Sequence, residues 1–167
     1  AVALSGGVDS SVAAWLLKDK GYEVYGVTMD LGIPPATVEN EGRCRSRESE
    51  DARRVCQKLE IPHHIFDLAG DLEAQVIRPF VADYLRGRTP NPCVECNRSL
   101  KFGSLLQRVR KLGCDFLATG HYARVEHTSE GFRLRKPRDT RKDQTYFLYT
   151  LGRERLPRVL FPLAPYL

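Results

Sequence analysis

Two short stretches of the sequence carry residue types that are suited to chemistry. The first is LSGGVDSS (4–11), which sets two glycines, an aspartate and three serines between an apolar run and a helical one. The second is NPCVECN (91–97), which contains a Cys-x-x-Cys pair. The first composition indicates a phosphate-binding loop, and the second indicates redox chemistry or metal binding by thiols.

The glycine-rich loop has the components of an anion site. Its glycines let backbone amides approach a phosphate, and the helix that follows adds a favourable dipole. Ser5, Ser10 and Ser11 supply hydroxyl donors, and Asp9 can hold a Mg²⁺ ion that bridges phosphates. The loop lacks both Gly-Lys-Ser/Thr and G-x-G-x-x-G. The structural alternative is a capped helix that follows a tight turn.

Strands and helices alternate along the chain. Apolar and helical patterns predict strands at 1–4, 23–29, 61–68 and 114–121, and helices at 10–20, 48–60, 72–85 and 98–113. Pro79 is expected to kink or split the third helix, and 122–136 is predicted to form a hairpin that turns near Glu130 and Gly131. The order predicts an α/β fold with a parallel sheet covered on both faces, which binds ligands at the carboxyl ends of its strands.

Composition restricts the class of protein. The 167 residues predict one domain with the beginning of a second, and no apolar run approaches the ~20 residues of a membrane span. The net charge of +5, with basic runs concentrated in the second half, is a weak indication of a polyanionic partner, and a solvated surface is the more common explanation of any one such run. Five cysteines without an export signal predict a cytoplasmic location and no membrane partner.

Four ordered motifs resemble a known family. SGGVDSS resembles the pyrophosphate loop (PP-loop) of the ATP pyrophosphatases, which activate a substrate as its adenylate. GRTPNPCVECNRSLKFG (87–103), LATGHYARV (117–125) and RKDQTYFLYTL (141–151) follow. Together they resemble the tRNA-specific 2-thiouridylases, which place sulfur on the wobble uridine of tRNA. The resemblance implies a Rossmann-like, HUP-type fold with a doubly wound sheet, a catalytic PP-loop domain over 1–150 and the start of a central domain at 151–167.

The resemblance also implies ligands and site residues. ATP and Mg²⁺ are the implied cofactors, tRNA is the implied substrate, and a persulfide carrier or sulfide is the implied sulfur donor. Cys96 is the implied nucleophile, and Asp9 the implied Mg²⁺ ligand. The implied nucleotide-site residues are Ala3, Leu4, Ser5, Gly6, Gly7, Val8, Asp9, Ser10, Ser11, Met29 and Gly120, with Met29 and Gly120 at the adenosine end. Asn91, Pro92 and Cys93 are expected beside the target base, and Lys142, Asp143 and Gln144 beside the tRNA.

One position departs from the common family pattern, since many members carry aspartate where this chain has Cys93. Three interpretations stay open: Cys93 and Cys96 help to hold a 4Fe–4S cluster, Cys93 is a redox partner of Cys96, or the pair holds zinc or has no special role. Basic neighbours lower the pKa of a thiol, and Arg98 and Lys101 are close to Cys96 in sequence.

A second departure concerns the cysteine that acts as partner of the nucleophile in the family. That cysteine normally lies further along the sequence than the last residue of this chain, and no cysteine follows Cys114 here. We therefore expect the chain to be a fragment that binds ATP without thiolating tRNA by itself. The alternative is that another residue takes the place of the partner cysteine. Two rival functions are an amidating or adenylating PP-loop ligase acting on a small molecule, and an RNA-binding fold without catalysis. Neither rival requires the cysteine pair.

The remaining candidates have mainly structural interpretations. Cys56 and Cys114 are expected to be inert buried thiols, and Trp15 and Phe102 are expected in the core. Cys44 is the best spare ligand or reactive thiol. His121 follows Gly120 at the end of a predicted strand, so contact with the nucleotide and a purely structural role both stay open.

Overall fold

A computed structural model describes residues 1–32 and 47–166 of the chain. The strands are β1 (Val2–Ala3), β2 (Gly26–Asp30), β3 (His63–Asp67), β4 (Leu117–Ala118), β5 (Arg124–Thr128), β6 (Gly131–Arg135) and β7 (Val159–Leu160). Five of them form a parallel sheet in the order β3-β2-β1-β4-β7. β5 and β6 pair separately as the predicted hairpin.

Six α-helical segments flank the sheet. They are α1 (Val8–Asp19), α2 (Arg47–Leu59), α3 (Ala69–Leu72), α4 (Arg78–Leu85), α5 (Pro92–Glu95) and α6 (Leu106–Lys111). A π-helical segment, Glu73–Ile77, joins α3 to α4, and a longer one, Cys96–Leu105, joins α5 to α6. Short 3₁₀ turns occupy Thr140–Lys142, Thr145–Leu148 and Leu156–Arg158.

The two faces of the sheet bury separate cores. α1 and α2 cover one face, where Leu4, Ala13 and Ala52 are buried. The helices from α3 to α6 cover the other face, around Leu100 and Phe102. The prediction of an α/β, doubly wound parallel sheet with helices on both faces is therefore confirmed.

The turn after β1 leads directly into α1. The helix begins at Val8, two residues before its predicted start, so Asp9 lies in its first turn. It ends at the predicted glycine, since Gly21 has a φ of +82° and Tyr22 donates a backbone hydrogen bond to Leu17. This left-handed ending is a common helix terminus, and it fixes the direction in which the chain returns to β2.

The helix predicted at 72–85 is divided next to Pro79, as expected: the π-helical segment Glu73–Ile77 ends just before α4, and Pro79 lies in the first turn of α4, where a missing amide is tolerated. Two other details differ from the sequence predictions. Trp15 is 51% exposed, because α1 buries the neighbouring Ala14 and Leu16 instead. β7 lies in 151–167, where the start of a further domain is predicted, and it pairs with β4 of the same sheet. The position of that domain boundary stays a prediction.

None of the helices within residues 1–32 and 47–166 combines the length and the apolar character that a bilayer crossing requires.

Candidate active site

A cleft of about 260 Å³ opens at the carboxyl edge of the sheet, between the ends of β1 and β4. The order of the strands reverses at this point, which is the usual position of a ligand site in such sheets. The cleft is lined by Ala3, Leu4, Ser5, Asp9, Ser10, Val27, Met29, Lys101, Thr119, Gly120, His121 and Gln144. Seven of these residues are predicted nucleotide-site residues: Ala3, Leu4, Ser5, Asp9, Ser10, Met29 and Gly120. Gly6, Gly7, Val8 and Ser11 belong to the same loop but do not line the cleft.

The two loop glycines have different structural roles. Gly6 has a φ of +77°, and a Cβ atom there would lie 2.8 Å from the carbonyl oxygen of Glu48. A side chain would therefore push the loop away from α2. Gly7 is the N-cap of α1 and has extended backbone angles. Within the described ranges, no side chain caps that helix start, so its first amides stay available to an anion.

The serine hydroxyls mainly shape the loop. Ser10 Oγ donates to the Gly7 carbonyl at 3.0 Å and accepts from the Ser5 amide at 3.3 Å. Ser11 Oγ donates to the same Gly7 carbonyl at 2.8 Å. Ser5 is exposed, and its Oγ lies 3.4 Å from Ser10 Oγ. Of the three hydroxyls, Ser5 therefore has the most freedom to bind a ligand in the cleft.

Gly120 allows the end of β4 to lie close to the first turn of α1. A Cβ atom at this position would lie 2.7 Å from the backbone nitrogen of Ser10 and 2.8 Å from the carbonyl carbon of Asp9. Distances under 3 Å require a displacement of the backbone. The end of β4 can therefore close the cleft against the first turn of α1 only because residue 120 has no side chain.

Tyr122 links the PP-loop to the KDQ segment (142–144). Its hydroxyl donates to Asp9 Oδ1 at 3.2 Å and accepts from Lys142 Nζ at 3.3 Å. The ammonium also lies 4.7 Å from the centre of the Tyr122 ring, a cation–π contact. The hydrogen bond to Tyr122 raises the pKa of Lys142, so this residue stays positively charged beside Asp9.

The other two residues of the KDQ segment hold the backbone. Gln144 Oε1 accepts from the Tyr122 amide at 2.9 Å, and the Gln144 amide donates to the Tyr122 carbonyl at 3.0 Å. Asp143 accepts two hydrogen bonds from Thr145 and lies 3.4 Å from Lys136. Gln144 therefore lines the cleft, whereas Asp143 fixes a local turn.

The residues before the cysteines start a helix. Asn91 Oδ1 accepts from the amides of Cys93 at 3.0 Å and Val94 at 3.3 Å, and Pro92 occupies the first helical turn. Asparagine at the N-cap followed by proline is a favoured helix start. Cys93 is exposed and Cys96 is half-buried, and both thiols are free. The structural role of residues 91–93 is therefore to start helix α5.

The basic neighbour of Cys96 is Lys101. Arg98 instead forms a 2.9 Å ion pair with Glu95. Burial raises the pKa of the Cys96 thiol, and the nearby Lys101 ammonium opposes that rise without cancelling it. Loss of hydration therefore has a larger effect on the pKa of this thiol than the nearby cation.

The side chain of His121 lines the cleft and is uncharged. Its Nδ1 lies 2.7 Å from Thr119 Oγ1, and its ring packs between those of Phe102 and Phe161. Burial, together with the charge of Lys101, lowers the pKa of His121 to about 3. The imidazole is therefore uncharged at neutral pH and contributes hydrogen bonding and shape.

Sequence reasoning missed Lys101, Thr119 and Tyr122 as site residues. Each lies inside a motif that was already recognised, CNRSLKFG or LATGHYARV. Those motifs could have been searched for polar residues at strand ends and for lysines near the cysteines. Of the other thiols, Cys56 is buried as expected and Cys114 is half-buried. Cys44 lies outside the described residues.

The donors in the cleft suit a nucleotide and a divalent cation. Uncapped helix amides and the Ser5 hydroxyl suit phosphates, and the exposed Asp9 carboxylate suits Mg²⁺, which commonly takes one or two carboxylates plus phosphate oxygens. A 4Fe–4S cluster fits less well, because it takes about four protein ligands. Among residues 1–32 and 47–166, no group of three or more Cys, His, Asp or Glu is arranged to hold a metal.

Comparisons with known proteins agree with this geometry. Two relatives are named tRNA-specific 2-thiouridylases: MnmA 1 of Syntrophus aciditrophicus (strain SB) is 57% identical over 164 residues, which is 98% of this chain and 44% of that protein. MnmA of Clostridium botulinum (strain Alaska E43 / Type E3) is 48% identical over 167 residues, which is 99% of this chain and 46% of that protein. The chain thus spans about half the length of the curated relatives it matches.

A solved structure supports the fold. The crystal structure of a predicted subunit of tRNA methyltransferase from Methanocaldococcus jannaschii matches with a TM-score of 0.55 and 18% identity, over 98% of this chain and 67% of that chain. At this identity the match concerns architecture alone. The family model described as the tRNA methyl transferase HUP domain matches residues 1–167. The chain therefore belongs to the tRNA methyl transferase HUP domain family.

Proposed function

We propose that this chain carries the ATP-dependent half of a tRNA 2-thiouridylase, which replaces the C2 oxygen of the wobble uridine with sulfur. One observation carries the proposal. The cleft that contains Ser5 and Asp9 of the PP-loop is also lined by Lys101, whose ammonium interacts electrostatically with Cys96. A phosphate site and a candidate sulfur nucleophile thus share one cation. The names of the relatives support tRNA as the substrate.

The first step activates the uracil oxygen. The C2 oxygen forms a bond to the α-phosphorus of ATP, the bond from that phosphorus to the bridging oxygen breaks, and pyrophosphate leaves. The amides and hydroxyls of residues 3–11 stabilise the charge that develops on the departing phosphates, and Asp9 is the proposed ligand of Mg²⁺. Met29 and Gly120 are the proposed contacts at the adenosine end.

The second step transfers sulfur. A persulfide carrier first transfers its outer sulfur to the Cys96 thiolate, and the carrier's own sulfur leaves as a thiolate. The terminal sulfur of the resulting Cys96 persulfide forms a bond to C2, and the C2–oxygen bond breaks as AMP leaves. The Cys93 thiolate then attacks Cys96 Sγ, which breaks the sulfur–sulfur bond and leaves sulfur on the base. The two cysteines are thereby oxidised to a disulfide, and an external thiol reductant restores them. If free sulfide is the donor, it attacks C2 directly and no reductant is needed.

The remaining assignments extend the same proposal. Asn91, Pro92 and Cys93 lie beside the target base, and the KDQ segment meets the tRNA. The need for reduced thiols favours a cytoplasmic location. The domain boundary near residue 150 and a cluster that uses Cys93 and Cys96 stay predictions, and such a cluster needs further ligands from outside the described residues.

The test uses Cys96→Ser in the longest natural form of the protein, with Cys114→Ser as the control. The reaction with tRNA, Mg·ATP and a persulfide donor, without free sulfide, is followed by pyrophosphate release and by 2-thiouridine in the digested tRNA. We expect Cys96→Ser to lose 2-thiouridine while tRNA-dependent pyrophosphate release continues, and Cys114→Ser to match the wild type. Unchanged 2-thiouridine in Cys96→Ser would reject the nucleophile. Pyrophosphate release that needs a small-molecule amine acceptor instead of tRNA would favour the ligase alternative.

A further inference from the structure

The Lys101 side chain is a cation without a counter-ion. Lys101 lines the cleft that we propose to bind the nucleotide, and burial lowers its pKa. Within residues 1–32 and 47–166 it forms no ion pair and no hydrogen bond, and its interactions are electrostatic ones with Cys96, Cys93 and His121. A half-buried ammonium without a carboxylate partner is costly, so it commonly serves an anion that binds from outside.

The π-helical segment determines what Lys101 can reach. Cys96 and Lys101 are five residues apart, and in an α-helix that spacing would set them about 140° apart around the axis. In a π-helix the hydrogen bond joins residues i and i+5, so positions five apart lie about one turn above each other. Because Cys96–Leu105 is π-helical, Cys96 and Lys101 project from one side of the helix.

The other side chains near Lys101 do not balance its charge. His121 is neutral, since its pKa is about 3, and the carboxylate of Glu95 is paired with Arg98. Asp9 lines the same cleft, but within residues 1–32 and 47–166 no ion pair joins its carboxylate to Lys101, and it accepts a hydrogen bond from Tyr122. A methionine or leucine would fill the same space without the cost of losing hydration. The charge of Lys101 therefore has no structural explanation within the described residues.

We propose that Lys101 is a catalytic cation that binds the α-phosphate of the nucleotide and also stabilises negative charge on the sulfur of Cys96. This inference rests on the proposed function and adds a residue to it. During adenylation Lys101 contacts the α-phosphate oxygens while the uracil oxygen bonds to phosphorus and pyrophosphate leaves. During sulfur transfer the same ammonium faces the thiolate or persulfide. Lys101 keeps its proton in both steps, so it exchanges no electrons and forms no covalent bond.

The first experiment measures binding. Lys101→Met, Lys101→Gln and Lys101→Arg are compared with the wild type and with Lys111→Met, which removes an exposed lysine from the same helical run. Calorimetry gives the affinities for Mg·ATP and for adenosine. Losing one charged contact should weaken Mg·ATP binding about tenfold to a hundredfold in the Met and Gln variants, with adenosine affinity within about twofold. The Arg variant should recover most of the loss.

The second experiment measures the thiol. The rate of Cys96 alkylation by iodoacetamide at one fixed pH should fall about threefold or more in Lys101→Met and Lys101→Gln, and stay unchanged in Lys111→Met. Peptide mapping separates Cys96 from Cys93. A merely structural lysine would change adenosine and Mg·ATP affinity together and would leave the alkylation rate alone.

The outcomes separate this inference from the proposed function. If Lys101→Met and Lys101→Gln both bind Mg·ATP as the wild type does, the role of Lys101 is rejected, while the Cys96→Ser result stands unaffected. If the wild type releases no pyrophosphate with tRNA, the proposed function fails. The ratio of Mg·ATP to adenosine affinity then still shows whether Lys101 binds phosphate.

Discussion

The hydroxyl of Tyr122 donates a 3.2 Å hydrogen bond to the carboxylate of Asp9, across 113 positions of sequence. The same hydroxyl accepts from Lys142, so the KDQ segment is connected to the first turn of α1 through one phenol. Two hydrogen bonds therefore connect the KDQ segment, which we propose to meet the tRNA, with the cleft that we propose to bind the nucleotide.

Removal of this phenol tests the connection. Tyr122→Phe deletes both hydrogen bonds and keeps the buried ring. We expect affinity for Mg·ATP to fall about threefold to tenfold, because Asp9 loses its orientation. Tyr149→Phe is the matched control, since Tyr149 is 67% exposed and is not one of the residues that line the cleft. Calorimetry with Mg·ATP makes the comparison, and equal affinities for both variants would contradict the link.

The close approach at Gly120 predicts a steric effect. Gly120→Ala should displace the start of α1, lower the free energy of unfolding by about 1–3 kcal/mol and weaken nucleotide binding more than tenfold. Gly70→Ala is the control, because a Cβ atom there meets nothing within 4 Å and the residue lies in α3. Alanine in that helix should be neutral or stabilise by about 0.5–1 kcal/mol. Urea denaturation measures both, and similar changes in the two variants would refute the steric argument.

The lowered pKa of His121 predicts a pH dependence of stability. The imidazole has a pKa of about 3 in the fold and 6.5 in the unfolded chain. As pH falls below 6.5, the unfolded chain gains a proton that the fold does not, so stability decreases toward pH 3. Between pH 6.5 and 5 the loss is on the order of 2 kcal/mol.

The matching variants are His121→Gln and the exposed control His127→Gln. His121→Gln should remove that part of the pH dependence, whatever its effect on stability at pH 7.5. His127→Gln should keep it. Urea denaturation at pH 7.5, 6.5, 5.5 and 5 gives the slopes, and a wild-type slope in His121→Gln would show that the histidine is not the source.

The capping role of Asn91 can be separated from a role at the target base. Asn91→Ala should lower the free energy of unfolding by about 1 kcal/mol, whereas Asn91→Asp keeps a capping oxygen and should match the wild type. If Asn91→Asp is stable yet loses 2-thiouridine formation, the amide contacts the base. If both variants thiolate tRNA at the wild-type rate, Asn91 serves the helix alone.

Local sequence signals were sufficient for much of the cleft. The loop from Ser5 to Ser11 follows from a glycine-rich turn between a strand and a helix, whereas Met29 and Gly120 were assigned from the family resemblance. A glycine-rich turn involves residues that are neighbours in sequence, so it can be recognised without knowledge of tertiary contacts. The alternation of apolar runs likewise predicts the parallel sheet.

Other features depend on contacts between distant residues. The π-helical winding of Cys96–Leu105 is not detected by a search for apolar residues with a period of 3.6. The sequence therefore shows that Lys101 is near Cys96 in the chain, but it does not place the two residues on the same side of a helix. Tyr122 and Asp9 meet only once β1 and β4 are neighbours. Trp15 was expected inside because it is large and apolar, yet the position of its helix face decides its exposure.

The last described segment supports the site from outside. Arg155 Nη1 donates to the carbonyl of Arg98 at 2.6 Å, within the π-helical run, and β7 covers the open side of β4. A polypeptide that ends at residue 150 would lose both the hydrogen bond from Arg155 and the pairing of β7 with β4. Its bared β4 would offer unpaired amides to other molecules, which favours aggregation. Expression work on this domain should therefore retain the residues through 166, even where nucleotide binding alone is of interest.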